Sequence, residues 1–262
     1  MKYKEIILRM EDGIATLTLN RPEKKNALSY RICDEICDAV DEVANNDEAR
    51  VLVLTGAGSA FSAGGDLETH PATTAKDRET RIKHLWHSVQ VASKLRSLEI
   101  PLIGSINGPA LGAGCDIACA CDIRIASEKA RMGFPEVKLG IFPGWGGTQR
   151  ITRVLGLGKT KELVFTGEMI NAEEAIRIGL VEKVVPPDKL MDEALKMAGA
   201  IAKTGPIAVK LAKTAINAGS EMDLQKALLL EKTLVSLCFD SDDRVEGMKA
   251  FLEKREPEFT GR

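Results

Sequence analysis

The sequence predicts an α/β fold in which strand–helix units repeat and a helical C-terminal third follows. Three observations support this prediction. The chain has 262 residues, which is enough for one large domain or two small ones. Short runs of β-forming residues alternate with amphipathic helical runs as far as Gly167. Beyond Gly167, helical periodicity dominates.

The chain opens with two β-rich runs, at residues 5–10 and 14–20, which are separated by Glu11-Asp12-Gly13. Because an Asp-Gly pair favours a tight turn, these runs predict a β-hairpin. Ser29 then stands before a segment in which apolar residues recur at three- and four-residue spacing. This pattern predicts a helix that is capped by Ser29.

Strand–helix units continue along the chain. The apolar run at residues 50–55 predicts a buried parallel strand, which completes a β-α-β unit. A helix is expected over about residues 76–98, and a strand over 101–106. After a glycine-rich turn and a short helix, residues 122–126 predict another strand.

The last third is predicted to be helical, with Val184-Val185 as its only strand-like run. Gly205-Pro206 breaks the helices and divides the chain into residues 1–205 and 206–262. The penultimate helix has an apolar face that serves either core packing or a subunit interface. The predicted helices cover residues 173–178, 188–202, 207–218, 223–239 and 242–251.

Composition and charge exclude several classes of partner. The 36 Lys and Arg residues are balanced by 38 Asp and Glu residues, so the net charge of −2 gives no field that attracts nucleic acid. Aromatic residues make up only 4%, which disfavours a base-stacking surface. No apolar stretch is long enough for a membrane span, and residues 1–10 are charged rather than signal-like. We expect a cytoplasmic protein with neither nucleic acid nor membrane as a partner.

Several familiar catalytic motifs are absent. Gly156-Leu157-Gly158-Lys159-Thr160 ends like a Walker A loop, but Arg153 stands where the motif needs its first glycine. Phe61 occupies the third glycine position of a dinucleotide fingerprint. No serine lies in a nucleophile elbow, and the three His and six Cys residues lack metal-ligand spacing. We therefore expect reduced thiols and no metal.

Two loops of similar character remain, at residues 61–67 and 107–116, and each follows a predicted strand. Their small residues let a ligand approach the backbone, and the second loop leads directly into a helix N-terminus. The two loops can thus converge on one oxygen atom. Downstream, Glu136 lies among apolar neighbours, which should raise the pKa of its carboxyl group. Asp116 and Glu136 are therefore candidate acid–base partners.

With these motifs the chain resembles the crotonase superfamily, and most of all its enoyl-CoA hydratases. The resemblance implies a crotonase-like ββα spiral core over residues 1–205. It also implies a C-terminal helical region, 206–262, that forms trimers and completes the coenzyme A pocket. A coenzyme A thioester is then the substrate, with no separate cofactor and no metal, and the assembly is a homotrimer or a dimer of trimers. The matching motifs are Leu19-Asn20-Arg21-Pro22, Asn26-Ala27-Leu28, residues 62–67, residues 108–122, Pro135-Glu136, Pro143-Gly144, residues 146–150 and residues 251–255.

The resemblance also implies roles for individual residues. The backbone N–H groups of Gly65 and Ala113 would form an oxyanion hole, and the amide of Gly144 would help to hold a water molecule. Glu136 matches the glutamate that exchanges a proton with a substrate carbon, and Asp116 matches the first catalytic glutamate. The residues matching the coenzyme A site are Ala63, Asp66, Leu67, Phe251 and Lys254.

Two positions depart from the hydratase pattern. Asp116 is one methylene shorter than the expected glutamate, so its carboxylate would hold a water less closely. Trp145 replaces a small residue of the substrate pocket. An indole that projects into the acyl pocket would favour a short, cyclic or conjugated acyl group, whereas one that points away serves packing.

The predicted function is that of an enoyl-CoA hydratase, which adds water syn to a 2-enoyl-CoA. A double-bond isomerase is the alternative. Enoyl-CoA isomerases need only the base at Glu136, while dienoyl-CoA isomerases also carry Asp at the position of Asp116 but place a third acid at that of Gly144. A non-enzymatic scaffold is disfavoured, because both loops are intact and the net charge is negative.

Overall fold

The computed structural model describes residues 2–70 and 74–262. Its first elements are the strands β1 (Ile6–Glu11) and β2 (Ile14–Leu19), which pair antiparallel. Asp12 and Gly13 both adopt left-handed backbone conformations, with φ of 49° and 76°. Such angles match the turn of a two-residue hairpin, so the predicted hairpin is confirmed.

The remaining strands are β3 (Val51–Gly56), β4 (Leu102–Ile106), β5 (Ala110–Leu111), β6 (Ile123–Ser127), β7 (Arg131–Gly133), β8 (Met169–Asn171) and β9 (Lys183–Val185). The strands form two sheets. The larger sheet has the strand order β1-β2-β3-β4-β6-β9 and is parallel from β2 onwards, and the smaller one has the order β5-β7-β8. The predicted parallel strands are thus confirmed.

Every residue of β3 is buried. Because alternate residues of a strand point to opposite sides of a sheet, both faces of this strand are covered. Leu52 and Leu54 belong to the main core, whereas Val51 and Val53 belong to a second, smaller core. This two-sided burial explains the uninterrupted apolar run of the strand.

The described residues contain nine α-helices, and those predicted from helical periodicity are present to within a few residues. Ser29 caps the first helix, since its hydroxyl accepts a hydrogen bond from the Ile32 N–H at 3.1 Å. The helices are α1 (Tyr30–Ala44), α2 (Arg78–Ser97), α3 (Ala113–Ala120), α4 (Gly147–Thr166), α5 (Ala172–Arg177), α6 (Leu190–Ala202), α7 (Pro206–Gly219), α8 (Leu224–Phe239) and α9 (Asp242–Glu253).

Two features differ from the sequence-based expectation. Val184-Val185 is not the only strand-like run after Gly167, because β8 also lies there and pairs antiparallel with β7. A three-residue strand depends on its distant partner, and local periodicity does not show it. The second difference is helix α4, which no pattern in the sequence predicted and which includes the glycine-rich segment from Gly156 to Thr160. Gly156 interrupts this helix, with φ 75° and ψ 172°.

A partly buried ion pair helps to dock helix α7. Lys213 Nζ in α7 lies 2.7 Å from Asp122 Oδ2 and donates to the Ile100 carbonyl oxygen at 2.8 Å. Asp122 directly follows the turn that ends α3. The division at Gly205-Pro206 coincides with the start of α7 but stays a prediction. Within the described residues, no helix combines the length and apolarity needed to cross a bilayer.

Candidate active site

The two glycine-rich loops lie side by side. The Ser62 N–H donates to the Pro109 carbonyl oxygen at 3.0 Å, and the Leu111 N–H donates to the Ser62 carbonyl oxygen at 2.9 Å. Gly64 makes the close approach possible, because a Cβ atom there would lie 2.7 Å from the Leu111 carbonyl oxygen. Its φ of 95° also favours glycine. The predicted convergence of the loops is therefore present.

The Gly65 and Ala113 N–H groups are free to bind a substrate oxygen. Leu28 forms a parallel bridge with Gly65, in which the Leu28 N–H donates to Gly64 and the Asp66 N–H donates to Leu28. This pattern turns the Gly65 N–H to the opposite side. Ala113 is the first residue of α3, where an N–H has no intrahelical acceptor. In the described part of the chain, neither N–H has a hydrogen-bond acceptor.

Asp116 lies one turn into α3 and is fully buried. Neither of its carboxylate oxygens has a hydrogen-bond partner among the described residues. Gly147 makes room for it, since a Cβ atom at that residue would lie only 1.7 Å from Asp116 Oδ1. Burial, and then the negative charge of Glu136, raise the pKa of Asp116 to about 7, while the positive charge of Arg150 acts in the opposite direction. A buried acid without partners is available for proton transfer.

Glu136 is the second residue of a 3₁₀ turn, Pro135–Leu139, which follows β7. Its Oε2 atom is buried and, among the described residues, unpartnered, and burial raises the pKa of its carboxyl group. The carboxylate lies against the backbone of Gly112, where a Cβ atom would come within 2.9 Å of Oε1. Gly112 immediately precedes Ala113, so Glu136 sits at the N-terminus of α3. The structure thus brings Glu136, Asp116 and the free N–H of Ala113 together.

Gly144 and Trp145 belong to the turn that precedes α4. Gly144 is exposed, and a Cβ atom there would have no neighbour closer than 3.9 Å. Trp145 is 7% exposed and belongs to the main hydrophobic core. The backbone N–H of Trp145 approaches the Asp116 carboxylate without completing a hydrogen bond, and this approach lowers the pKa of Asp116. The turn therefore borders Asp116, while the predicted roles of Gly144 and Trp145 stay predictions.

The residues assigned to coenzyme A differ in their surroundings. Ala63 and Leu67 are exposed at the loop surface. Asp66 is buried instead: its carboxylate lies 3.0 Å from the Arg21 guanidinium and accepts backbone N–H groups of the same loop. It braces the loop that carries Gly65. Phe251 and Lys254 are exposed at the end of α9.

Among the described residues, no group of three or more His, Cys, Asp or Glu side chains is arranged to hold a metal ion. All six cysteines are free thiols, as expected. His70, His84 and His87 surround the ring of Tyr30, and His70 Nε2 lies 2.6 Å from Ser88 Oγ. The spacing of the three histidines in the sequence does not predict this cluster.

Comparison with known proteins decides the family. The enoyl-CoA hydratase/isomerase family profile matches residues 9–262. The chain belongs to the enoyl-CoA hydratase/isomerase family. It is 45% identical to a short-chain-enoyl-CoA hydratase of Clostridium acetobutylicum over 98% of both chains. It is also 44% identical to a crotonyl-CoA hydratase of Syntrophomonas wolfei over 99% of both.

A solved enoyl-CoA hydratase from Bacillus anthracis has the same fold as this member of the family. The TM-score is 0.95 at 39% identity, over 99% of this chain and 100% of that one. The predicted crotonase-like α/β fold and the resemblance to enoyl-CoA hydratases are therefore confirmed.

In this hydratase/isomerase family member, sequence reasoning missed three residues that shape the site. The Glu136 carboxylate packs against Gly112, and the Asp116 carboxylate packs against Gly147. Arg150 supplies a positive charge that opposes the rise in the pKa of Asp116. The motifs at residues 108–122 and 146–150 contained all three residues, but only their spatial relation to the two acids reveals a role.

Proposed function

We propose that this enzyme adds water syn to the double bond of a short-chain 2-enoyl-CoA, and catalyses the reverse dehydration, with Asp116 and Glu136 as its acid–base pair. The prediction of an enoyl-CoA hydratase, a lyase, is confirmed by the similarity to curated hydratases over nearly the whole chain. The short acyl chain is proposed because these two relatives are named for short-chain and crotonyl substrates. The decisive observation for the residue roles is the fully buried, unpartnered carboxyl group of Asp116 close to the partly buried carboxyl group of Glu136, whose Oε2 also has no partner among the described residues. Two free N–H groups lie beside this pair.

The two N–H groups bind the thioester carbonyl oxygen. When a nucleophile adds at the β-carbon, negative charge develops on that oxygen. Gly65 and Ala113 can each donate one hydrogen bond to it, and loss of one such donor typically costs about 3 to 4 kcal/mol of transition-state stabilisation. Since the donors belong to the backbone of two bridged loops, they need little rearrangement during the reaction.

The acid pair moves the two protons of the reaction. In hydration, ionised Asp116 takes a proton from water as the water oxygen bonds to the β-carbon. Protonated Glu136 gives its proton to the α-carbon, and the electron pair of the thioester enolate forms the new carbon–hydrogen bond. The N–H of Gly144 helps to hold the water. The raised pKa of each carboxyl group suits a pair that carries one proton between them near neutral pH.

The shorter side chain of Asp116 is compatible with this mechanism. Asp116 and Glu136 interact electrostatically, so both belong to one site. Gly144 stands where a dienoyl-CoA isomerase would place its third acid. An isomerase that uses Glu136 alone would have no need for a second unpartnered acid with a raised pKa. The observed pair therefore favours water addition over isomerisation.

The binding of coenzyme A and the assembly of subunits are also proposals. Ala63, Leu67, Phe251 and Lys254 are exposed and could contact the nucleotide end of the thioester, while Asp66 would act by bracing the loop. The coenzyme is part of the substrate, so no separate cofactor is proposed. Exposed apolar residues along α8 support a homotrimer or a dimer of trimers, which light scattering would measure: Leu224, Leu228, Leu229, Val235 and Leu237. A cytoplasmic location stays a prediction.

Assays in heavy-oxygen water test the function. A panel of short, long, cyclic and conjugated enoyl-CoA thioesters is incubated with the enzyme, and the masses of the products are measured by mass spectrometry. We expect one heavy oxygen atom in the 3-hydroxyacyl-CoA product of a short substrate. Products that shift their double bond without incorporating label, for every thioester, would establish an isomerase instead.

The Asp116→Asn variant then separates the two acids. It should lose hydration by several orders of magnitude, while Glu136 still exchanges a proton between solvent and substrate carbon. A variant that retains hydration within about tenfold would remove Asp116 from the mechanism.

A further inference from the structure

The segment 25–28 lies beside the loop that carries the free Gly65 N–H. The Leu28 N–H donates to the Gly64 carbonyl oxygen at 2.7 Å. Because a peptide bond is planar and trans, the carbonyl group of Gly64 and the N–H of Gly65 form one rigid unit and point in opposite directions. The hydrogen bond from Leu28 therefore sets the direction in which the Gly65 N–H points.

Ser62 holds the other peptide group of Gly64. Ser62 is fully buried, and its hydroxyl oxygen accepts a hydrogen bond from the Gly64 N–H at 3.2 Å. The same hydroxyl group donates to the Asn26 carbonyl oxygen at 2.8 Å. Glycine has more backbone freedom than any other residue, so the two peptide groups of Gly64 turn easily unless they are held. Leu28 holds one of them and Ser62 holds the other.

Asn26 is a buried amide that joins three parts of this region. Its Oδ1 accepts a hydrogen bond from the Arg21 N–H at 2.9 Å. Its Nδ2 donates to the carbonyl oxygens of Ala57 at 2.9 Å and Ala60 at 2.8 Å. The backbone of Asn26 is left-handed, with φ 54°, a conformation that asparagine adopts more readily than most residues. Asn26 thus fixes the turn that presents the Leu28 N–H.

Ser62 also touches the helix that supplies the second free N–H. Gly114 follows Ala113 in α3, and a Cβ atom at Gly114 would lie 2.5 Å from the Ser62 carbonyl oxygen and 3.0 Å from Ser62 Oγ. The backbone of Ser62 exchanges hydrogen bonds with Pro109 and Leu111 of the second loop. Ser62 therefore lies between the two segments that carry the free N–H groups.

We propose that Asn26 and Ser62 are positioning residues that aim the Gly65 N–H at the carbonyl oxygen of the thioester. Both residues are fully buried, so they act through the peptide groups of Gly64 and not on the substrate itself. A hydrogen bond weakens when its donor turns away from the acceptor, and a small misplacement in an active site lowers the rate strongly. This inference rests on the proposed function, in which the Gly65 N–H stabilises the oxyanion.

Ser62→Ala is the first test, because it removes only the hydroxyl group. We expect kcat to fall at least about tenfold, though less than in Gly65→Pro, while KM changes by less than about threefold. The control is Ser105→Ala in β4. Ser105 is equally buried, but its hydroxyl donates to Met191 Sδ at 3.2 Å rather than to a loop. This control should keep the wild-type kcat.

A double variant separates positioning from a general loss of stability. Once Gly65→Pro has removed the N–H, the Ser62 hydroxyl has nothing left to aim. Ser62→Ala in the Gly65→Pro background should therefore lower kcat by less than about twofold. A loss as large as in the wild-type background would show that Ser62 acts on catalysis by another route, and would overturn the proposal.

Asn26→Asp tests the second positioning residue. Aspartate keeps the acceptor oxygen but loses the Nδ2 donor. It should lower kcat at least about tenfold in the wild-type background and by less than about twofold in the Gly65→Pro background. If Asn26→Asp does not fold, Asn26→Gly takes its place, because glycine adopts the same left-handed turn without the side-chain hydrogen bonds.

Infrared spectroscopy reports on the hydrogen bond without turnover. A saturated acyl-CoA with an isotopic label at its thioester carbonyl gives a band that moves to lower frequency when hydrogen bonds polarise this group. The bound wild-type complex and the Ser105→Ala complex should show the full shift. In Ser62→Ala and Asn26→Asp the band should return towards its position in solution. A wild-type kcat together with an unchanged band in Ser62→Ala would overturn the proposal.

Failure of the proposed function gives a different result. If the enzyme hydrates no thioester while the band is shifted in the wild type and returns in Ser62→Ala, the assigned reaction is wrong and the positioning role stands. If hydration proceeds and neither kcat nor the band depends on Ser62, the positioning role is wrong and the function stands.

Discussion

Replacing Asp116 with Asn should stabilise the folded protein at alkaline pH while it abolishes hydration. The pKa of Asp116 rises from an ordinary value of 3.8 to about 7, chiefly because the group is buried. Between these two pH values the folded chain holds a proton that the unfolded chain has lost. The free energy of unfolding therefore falls as pH rises from about 4 to about 7, and no further loss arises from this group at higher pH.

The structure sets the size of this effect. A rise in pKa from 3.8 to about 7 corresponds to about 4 kcal/mol, at about 1.4 kcal/mol per pH unit. Structural relaxation and water entry in the real protein reduce such penalties, so we expect about 2 to 4 kcal/mol for Asp116→Asn at pH 8. At pH 4 both side chains are neutral and equally unpartnered, and the variant should differ from the wild type by less than about 0.5 kcal/mol.

Urea unfolding at fixed protein concentration measures this difference, because association would otherwise change the apparent stability. Asp47→Asn is the control, since Asp47 is an exposed carboxylate in the turn before β3. It should show no pH-dependent gain. A stability gain for Asp116→Asn that is equal at pH 4 and pH 8, or absent at both, would refute the reasoning that burial raises the pKa of this acid.

Three further outcomes are expected. Glu136→Gln should bind an unreactive acyl-CoA normally but lose at least about 100-fold in kcat. The control Glu168→Gln, at an exposed site, should keep the wild-type kcat. Similar kcat values for both variants would exclude Glu136 as the acid. Gly65→Pro deletes a free N–H and should lower kcat by about 100-fold. The control is Gly65→Ala, which keeps the N–H and whose Cβ atom would meet nothing within 4 Å. Equal rates for the two variants would place the oxyanion hole elsewhere. Gly112→Ala should lose far more activity than Gly140→Ala. Both glycines have a positive φ, but only Gly112 lies against the Glu136 carboxylate. Comparable losses of activity would mean that backbone strain alone is responsible.

Elements that form through contacts between neighbouring residues were predicted from the sequence, whereas elements that form through contacts between distant residues were not. The hairpin, the capped helix α1 and the parallel strand β3 depend on local turn chemistry and on hydrophobic periodicity, and each is present. The strand β8 forms through pairing with β7, which lies more than thirty residues away in the sequence.

The sequence by itself determined the fold class, the family and the two glycine-rich loops, and it predicted the acid pair. These features depend on residue types in a fixed order, which a sequence displays directly. Only the tertiary structure decided that burial raises the pKa of Asp116, that Gly112 and Gly147 make room for the two acids, and that Asp66 braces the loop that carries Gly65. A pKa depends on burial and on charges contributed by distant segments. Such distances exist only after β7, α3 and α4 have packed around one another.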